Sequence, residues 1–377
     1  MEPFDTTLLD LRRSGNFRSI PADSTRSEVI DLSSNDYLGI AARPELQAGF
    51  LKSEANRRIP LTSSASRLLA APQQEYALLE DMLSKLYGKP ALVMNSGYHA
   101  NTGILSALAS GPGTVILADR LVHASMIDGM VLSRARFRRF PHNDLNRLEA
   151  MIQAERAASR RIIVAVESVY SMDGDSADIE ALMELRKLYP EVLLYVDEAH
   201  GVGACGPQGL GLCAATGRLD EVDILIGTFG KALASSGAFC IASAELRDFI
   251  INRARSFIFS TSLPPLCCAW TRYVIERMTG MDAERQHLAA LAAALREGIA
   301  SIDPAAAGTA SHIQPFVTGD ARRAVELSAK LLDEGFKVLP IRTPTVPPGT
   351  ERLRISLSAA LTTDQINRFV NSLRALI

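Results

Sequence analysis

The chain has 377 residues, 47% of them hydrophobic and 22% charged, with a formal net charge of −2. That is apolar material for more than one core, so a large and a small lobe are expected. The near-neutral balance gives no electrostatic footprint for a nucleic acid, and no apolar run approaches the roughly 20 residues of a membrane span. The acidic start MEPFDTTLLDLRRSG lacks the apolar centre of a secretory signal. Cys205, Cys213, Cys240, Cys267 and Cys268 show no C-x-x-C spacing, so a reducing cytoplasm is the expected setting.

A short helix is expected near Thr7–Arg13, followed by irregular polar sequence to about Glu28. In Asp31-Leu-Ser-Ser-Asn-Asp-Tyr-Leu-Gly39, Asn35 and Asp36 precede an aromatic and a glycine, which is turn chemistry after a short strand. A helix is expected over Leu78–Leu86. Residues 91–101 then read as strand, tight turn and helix start. Ser96 and Gly97 would leave backbone N–H groups unpaired at the amino end of a helix running through Ile104–Leu108. Such an end attracts an anion, and Gly97 and Tyr98 are its candidates. Residues 114–125 place His123 in the turn after an apolar strand. Arg134, Arg136, Arg138 and Arg139 alternate as a strand with one solvated, charged face would. The functional alternative for that run is a contact with the phosphates of coenzyme A or with an acidic carrier protein. Residues 161–170 are another buried strand, ending at Ser171-Met-Asp-Gly-Asp175, whose last three residues read as a turn. A helix over Ile179–Leu188 follows.

The stretch from Leu193 to Ala238 carries the chemistry. Its two apolar runs, Leu193–Val196 and Asp223–Ile226, each stop at polar or glycine-rich residues, as buried strands of a parallel sheet do. Such sheets present functional groups beyond the carboxyl ends of their strands. Asp197 and His200 follow the first run, Thr228 and Lys231 the second, so an acid, an imidazole, a hydroxyl and a lysine would face one crevice. That set can hold pyridoxal 5′-phosphate (PLP): the lysine binds its aldehyde, the aspartate keeps the pyridine nitrogen protonated, and the hydroxyl meets the phosphate or its surroundings. Asp-Glu-Ala-His is also a helicase-like tetrapeptide, but that reading needs a G-x-x-x-x-G-K-[ST] loop. The Gly-Lys pairs here are followed by Pro90 and Ala232. A metal hydrolase on Asp197 and His200 lacks further ligands nearby, so no metal site is expected. Beyond Lys231, Phe257–Pro265 reads as a strand ended by prolines. Helices over Ala269–Met278 and Asp282–Ile302 come next, then segments that alternate between strand and helix, His312–Val317, Arg322–Glu334, Phe336–Pro340, Arg352–Ser358 and Thr363–Leu376, with Phe336–Pro340 a strand.

Asp-Glu-Ala-His-Gly at 197–201, Thr-Phe-Gly-Lys-Ala at 228–232 and Ser-Met-Asp-Gly-Asp at 171–175 resemble the α-oxoamine synthases, and the resemblance runs from about Asp31 to about Leu373. It implies an α/β fold of PLP-dependent transferase fold type I. The large domain would hold a mainly parallel seven-stranded sheet flanked by helices, beside a smaller α+β C-terminal domain. The corresponding segments are 1–40 joining the small lobe, 41–275, and 276–377. The implied reaction condenses an amino acid with an acyl thioester and releases carbon dioxide.

By the same resemblance, Lys231, Asp197, His200 and His123 are the catalytic set, with His123 stacked on the cofactor. Ser171 and His200 hydrogen-bond near its 3′-oxygen, and Glu167 shapes that wall. Asn35 and Arg354 hold the amino-acid carboxylate. Ser260 and Thr261 reach the phosphate of the neighbouring subunit's cofactor, which implies a homodimer with shared sites. The chain departs from the family where Thr62–Arg67 replaces the usual G-x-G-G-S-R and where Tyr76 replaces a frequent histidine. The run Ile341–Arg354, with His312-Ile-Gln-Pro315 before it, is similar to the biotin-pathway branch. That branch uses L-alanine and a pimeloyl thioester of coenzyme A or of a carrier protein. A glycine C-acetyltransferase, a 5-aminolevulinate synthase or a serine palmitoyltransferase would share the catalytic residues. A non-catalytic binding subunit would usually lose the lysine, which is present.

Overall fold

Runs of aliphatic and β-branched residues that stop at polar or glycine positions become the strands of one sheet. They are β1 (Ala91–Met94), β2 (Thr114–Asp119), β3 (Arg136–Phe140), β4 (Arg161–Glu167), β5 (Val192–Asp197), β6 (Ile224–Thr228) and β7 (Ala238–Ala242). The structure is a computed structural model describing residues 3–20, 29–71, 73–306, 308–309 and 311–377. The last part of the irregular stretch expected to reach Glu28 lies outside the described residues. The strand order is β1-β7-β6-β5-β4-β2-β3, parallel throughout except for β7, which runs antiparallel to both β1 and β6. Sequence reasoning did not mark β7: Ala-Phe-Cys-Ile-Ala is short, without alternation, and closely follows the lysine loop.

Helices α1 (Gln74–Tyr87), α2 (Gly97–Leu108), α3 (Ala124–Ser133), α4 (Leu145–Glu155), α5 (Ile179–Leu188), α6 (Ala244–Arg253) and α7 (Pro265–Met278) accompany this sheet. Their starts are chemically specified. Asp144, Asp178 and Ser243 each accept a backbone N–H three residues on, opening α4, α5 and α6. Ile104 and Leu105 of α2 and Met126 and Met130 of α3 pack with Ile116, Ile163 and Ile226 of the strands in one buried cluster. Each fully buried aliphatic side chain there is worth about 1.5–3 kcal/mol. The basic run lies on and beside β3, the edge strand. Arg136 and Arg138 pair with the buried carboxylate of Glu155, while Arg134 caps α3 in the left-handed region at φ 58°. Charge on an edge strand blocks pairing with another sheet.

Residues 257–265 are not a strand. Arg255–Ile258 forms a single helical turn, Thr261 makes only an isolated bridge to Ser66, and Pro265 opens α7. The Phe-Ile-Phe-Ser-Thr-Ser pattern favours extended backbone, but the paired prolines begin a helix here instead of ending a strand. Proline at the first helical position loses no intrahelical bond.

A second compact unit comprises the described residues of Met1–Tyr37 with Ser171–Asp175 and Gln286–Ile377. It contains most of α8 (Asp282–Ile302), and β8 (Ile313–Val317), α9 (Ala321–Asp333), β9 (Leu339–Ile341), β10 (Arg352–Ser356) and α10 (Thr363–Leu376). The sheet is antiparallel in the order β9-β10-β8. The expected single strand over Phe336–Pro340 is two short ones. Phe336–Lys337 pairs in parallel with Ile30–Asp31, and Lys337 bonds Asp31 at 2.8 Å. The chain turns at Gly174, where φ is +70° and a Cβ would fall 1.9 Å from the Ile313 carbonyl oxygen, so only glycine fits. Among the described residues, no helix is long and apolar enough to cross a membrane.

Candidate active site

Parallel pairing sets the strand ends in register. Glu167 of β4 lies opposite Asp197 of β5, and Asp197 opposite Ile226 of β6. Residues just past these ends therefore gather at one edge of the sheet. Lys231, three residues beyond β6, places Nζ 2.8 Å from His200 Nε2. Asp197 is buried, its Oδ1 accepting from the Ala199 N–H at 2.8 Å and its Oδ2 from Asn101 Nδ2 at 2.7 Å. The Thr228 hydroxyl donates to the Gly237 carbonyl at 3.1 Å and accepts from the Gly230 N–H at 3.2 Å. It thus closes the loop that carries Lys231.

Ser96 caps α2 by accepting from the His99 N–H at 3.2 Å, and its hydroxyl also meets His99 Nδ1 at 2.8 Å, so His99 is a local cap partner. No protein acceptor engages the Gly97 and Tyr98 N–H groups among the described residues. A Cβ built on Gly97 would lie 3.9 Å from Thr228 Cβ, which puts this anion-seeking helix end beside the end of β6. The Tyr98 hydroxyl donates to the Asp128 carboxylate, and that bond raises its pKa.

His123 caps α3. Its Nδ1 lies 2.8 Å from Ser125 Oγ and accepts the Ser125 N–H at 3.2 Å. The residue is exposed, yet the protein around it strips enough water to lower its pKa. Asp197 and Asp128 oppose that shift and Lys231 assists it. An amine, a buried carboxylate, an accessible flat imidazole and an open helix amino end are the groups PLP requires. Ser260 is half-buried and Thr261 exposed. The Thr261 carbonyl accepts from Asn95 Nδ2 at 2.6 Å, just ahead of the α2 cap.

In the other unit, Arg354 on β10 donates from Nε to the Ser171 carbonyl at 2.6 Å, and from Nη1 and Nη2 to Asn35 Oδ1 at 3.2 Å each. The Tyr37 hydroxyl donates to the same oxygen at 3.0 Å. Arg354 is 4% exposed, and all these acceptors are neutral. Among the described residues its acceptors carry no charge, and a buried guanidinium of that kind can still pair with a carboxylate.

The sequence reading missed three buried residues that shape this site, Asn101, Ser125 and Tyr195. It also passed over Glu198, which is fully buried, meets Ser168 Oγ and accepts from the Cys213 N–H at 2.6 Å. Burial raises its pKa. An asparagine among the alanines and glycines of α2 was the available signal. In the Thr62–Arg67 loop, Ser64 takes φ 50° without glycine's freedom. Arg67 pairs with Glu80 and lies over the Tyr76 ring at 4.2 Å, while Tyr76 donates to the Leu263 carbonyl at 2.7 Å. Tyr76 is therefore a structural tie, with burial lifting its pKa to about 12.

Residues 27–373 match the family model for aminotransferase class I and II. Over 380 residues the chain is 43% identical to an 8-amino-7-oxononanoate synthase of Chlorobaculum parvum, covering 97% of this chain and 96% of that one. The chain belongs to the α-oxoamine synthase family. Among solved members, it is similar to a serine palmitoyltransferase of Sphingomonas wittichii at 28% identity. The TM-score is 0.88, with 100% of this chain and 96% of that chain covered. It is also similar to an 8-amino-7-oxononanoate synthase of Francisella tularensis at 25% identity, with a TM-score of 0.76 over 93% of this chain and 98% of that chain. The α-oxoamine synthases are PLP-dependent acyltransferases of fold type I, and the mainly parallel seven-stranded sheet is that fold.

Proposed function

We propose that the chain condenses L-alanine with a pimeloyl thioester, giving 8-amino-7-oxononanoate, carbon dioxide and free thiol for biotin synthesis. Lys231 beside His200, with the Asp197 carboxylate buried at the adjoining strand end, is the observation that carries the chemistry. The full-length relatives named for this reaction support the substrate.

When bound, PLP supplies an electron-withdrawing pyridinium that makes removal of the alanine Cα proton feasible. Asp197 is the carboxylate that would hold the ring nitrogen's proton. The Gly97 and Tyr98 N–H groups would take the phosphate, with Thr228 shaping the loop beside it. His123 would lie against the ring face. Lys231 Nζ would hold the aldehyde at rest and take the Cα proton once alanine has entered. His200 and Ser171 would bond the 3′-oxygen. Arg354 and Asn35 would grip the alanine carboxylate until it leaves as carbon dioxide.

A homodimer belongs to this reading, with Ser260 and Thr261 reaching the partner's phosphate. The exposed Leu132 and Phe259, which line one surface groove with Ile258, support it as apolar surface left open by a single chain. Five free thiols fit a reducing, cytoplasmic setting.

The test supplies PLP-loaded protein with alanine, glycine or serine and then a pimeloyl, acetyl or palmitoyl thioester, following thiol and carbon dioxide together. Release of both only with alanine and the pimeloyl thioester supports the reading. Turnover with glycine and acetyl, or with serine and palmitoyl, keeps the chemistry and overturns the substrate.

A further inference from the structure

Asn101 is 1% exposed, on the face of α2 turned toward the sheet, and every polar atom of its carboxamide is engaged. Nδ2 meets Asp197 Oδ2 at 2.7 Å and Ser125 Oγ at 2.9 Å, while Oδ1 meets the Tyr195 hydroxyl at 2.7 Å. These contacts have one consistent direction. An ionised Asp197 only accepts, so the amide nitrogen must face it; the flipped amide would set two acceptors together. Tyr195 then donates to Oδ1. The second Nδ2 hydrogen goes to Ser125 Oγ, leaving the serine hydrogen for His123 Nδ1, 2.8 Å away. The Ser125 backbone N–H points at that same nitrogen from 3.2 Å.

We infer that Asn101 is a positioning residue that joins the Asp197 carboxylate to the His123 ring through Ser125, holding the ring neutral with its proton on Nε2. A proton on Nδ1 would force Ser125 to accept from both neighbours. Its own hydrogen would then be buried without an acceptor, since Ser125 is 1% exposed. The charged groups facing His123 do not by themselves fix its state, because Asp197 and Asp128 favour the cation and Lys231 disfavours it. Dehydration favours the neutral ring, and the hydrogen-bond chain fixes which nitrogen carries its proton. The two groups assigned to opposite needs of the cofactor, a negative charge at the ring nitrogen and a neutral ring face, are thus set by one amide.

This inference rests on the assignment of Asp197 and His123 to PLP, and the readouts separate the two. In PLP-free protein, ¹⁵N NMR of the imidazoles, with His123 identified by its loss in His123→Gln, is expected to show the Nε2–H tautomer near neutral pH. In Ser125→Ala and Asn101→Leu the His123 pKa is expected to rise by about one unit. In Asn101→Leu, PLP affinity is expected to fall about tenfold or more as Asp197 loses its donor. An Nδ1–H tautomer in the wild type overturns the inference. So does a His123 titration unchanged in Ser125→Ala, whether or not Asn101→Leu folds. A wild-type protein that fails to bind PLP overturns the site assignment instead.

Discussion

Both terminal nitrogens of Arg354 converge on a single atom, Asn35 Oδ1, at 3.2 Å each. A guanidinium fork is built for two acceptor oxygens, so one amide oxygen under-uses it. Asn35 holds the arginine in place without neutralising it. Arg354→Lys removes the fork and keeps the charge. The expected loss of about 1.5–3 kcal/mol of charge-assisted bonding is a rise of roughly 10- to 100-fold in KM for the amino acid. Steady-state kinetics with alanine varied checks this; an unchanged KM removes Arg354 from substrate binding. Asn35→Asp would install a permanent counter-ion and should raise the same KM.

Lys231 and His200 form the other decisive pair, 2.8 Å apart. Lys231→Ala is expected to abolish both turnover and the visible absorbance of lysine-bound PLP. Retained activity with the spectrum lost would give the proton transfer to another group. His200→Gln should keep the absorbance while shifting its pH dependence, read by spectrophotometric titration.

Asp119, at the end of β2, is fully buried. It accepts from the Leu121 N–H at 2.8 Å, the Asn143 N–H at 2.8 Å and His142 Nδ1 at 2.9 Å. Burial alone would raise its pKa, but these bonds outweigh it and hold the carboxyl below its usual value of 3.8. Its folded pKa is therefore depressed. The stability it adds is present above 3.8 and is lost as pH falls through the lower folded value. Asp119→Asn is expected to cost about 1–3 kcal/mol near neutral pH, with the gap narrowing in acid. Urea unfolding across that range reads it; a gap independent of pH would remove the carboxylate's charge from the account.

Glu80 collects Arg67 at 3.2 Å, Arg247 at 3.3 Å and the Val93 N–H at 3.0 Å. Glu80→Ala would leave a largely buried guanidinium and a strand N–H of β1 unpaired, at about 3–5 kcal/mol. The thermal midpoint should drop by several degrees, and a drop within error would reduce this cluster to surface pairing.

The sequence made the strands of the parallel sheet legible because each is an apolar run cut off by polar or glycine residues, and this is what brought Asp197, His200 and Lys231 to one edge. Propensity failed at Phe257–Pro265, where aromatic and β-branched residues before a proline pair imitate a strand although the chain makes a helical turn over Arg255–Ile258. The Asn101 connections could not be read at all, since its partners Tyr195 and Asp197 are 94 and 96 residues away in sequence. Hydrogen bonds of that separation leave no periodic trace.

The antiparallel strand β7 also sets the order in which the protein can be completed. Among the described residues β1 pairs with the sheet only through β7, and Ala91 pairs with Ile241, about 150 residues downstream. On a translating ribosome that interval is about 7–30 s. Throughout it the earliest strand of the large sheet lacks the neighbour it pairs with, and the amino end of α2, three residues beyond β1, has no fixed seat. The helix end proposed to take the phosphate is encoded early and seated late, after the lysine loop has already emerged.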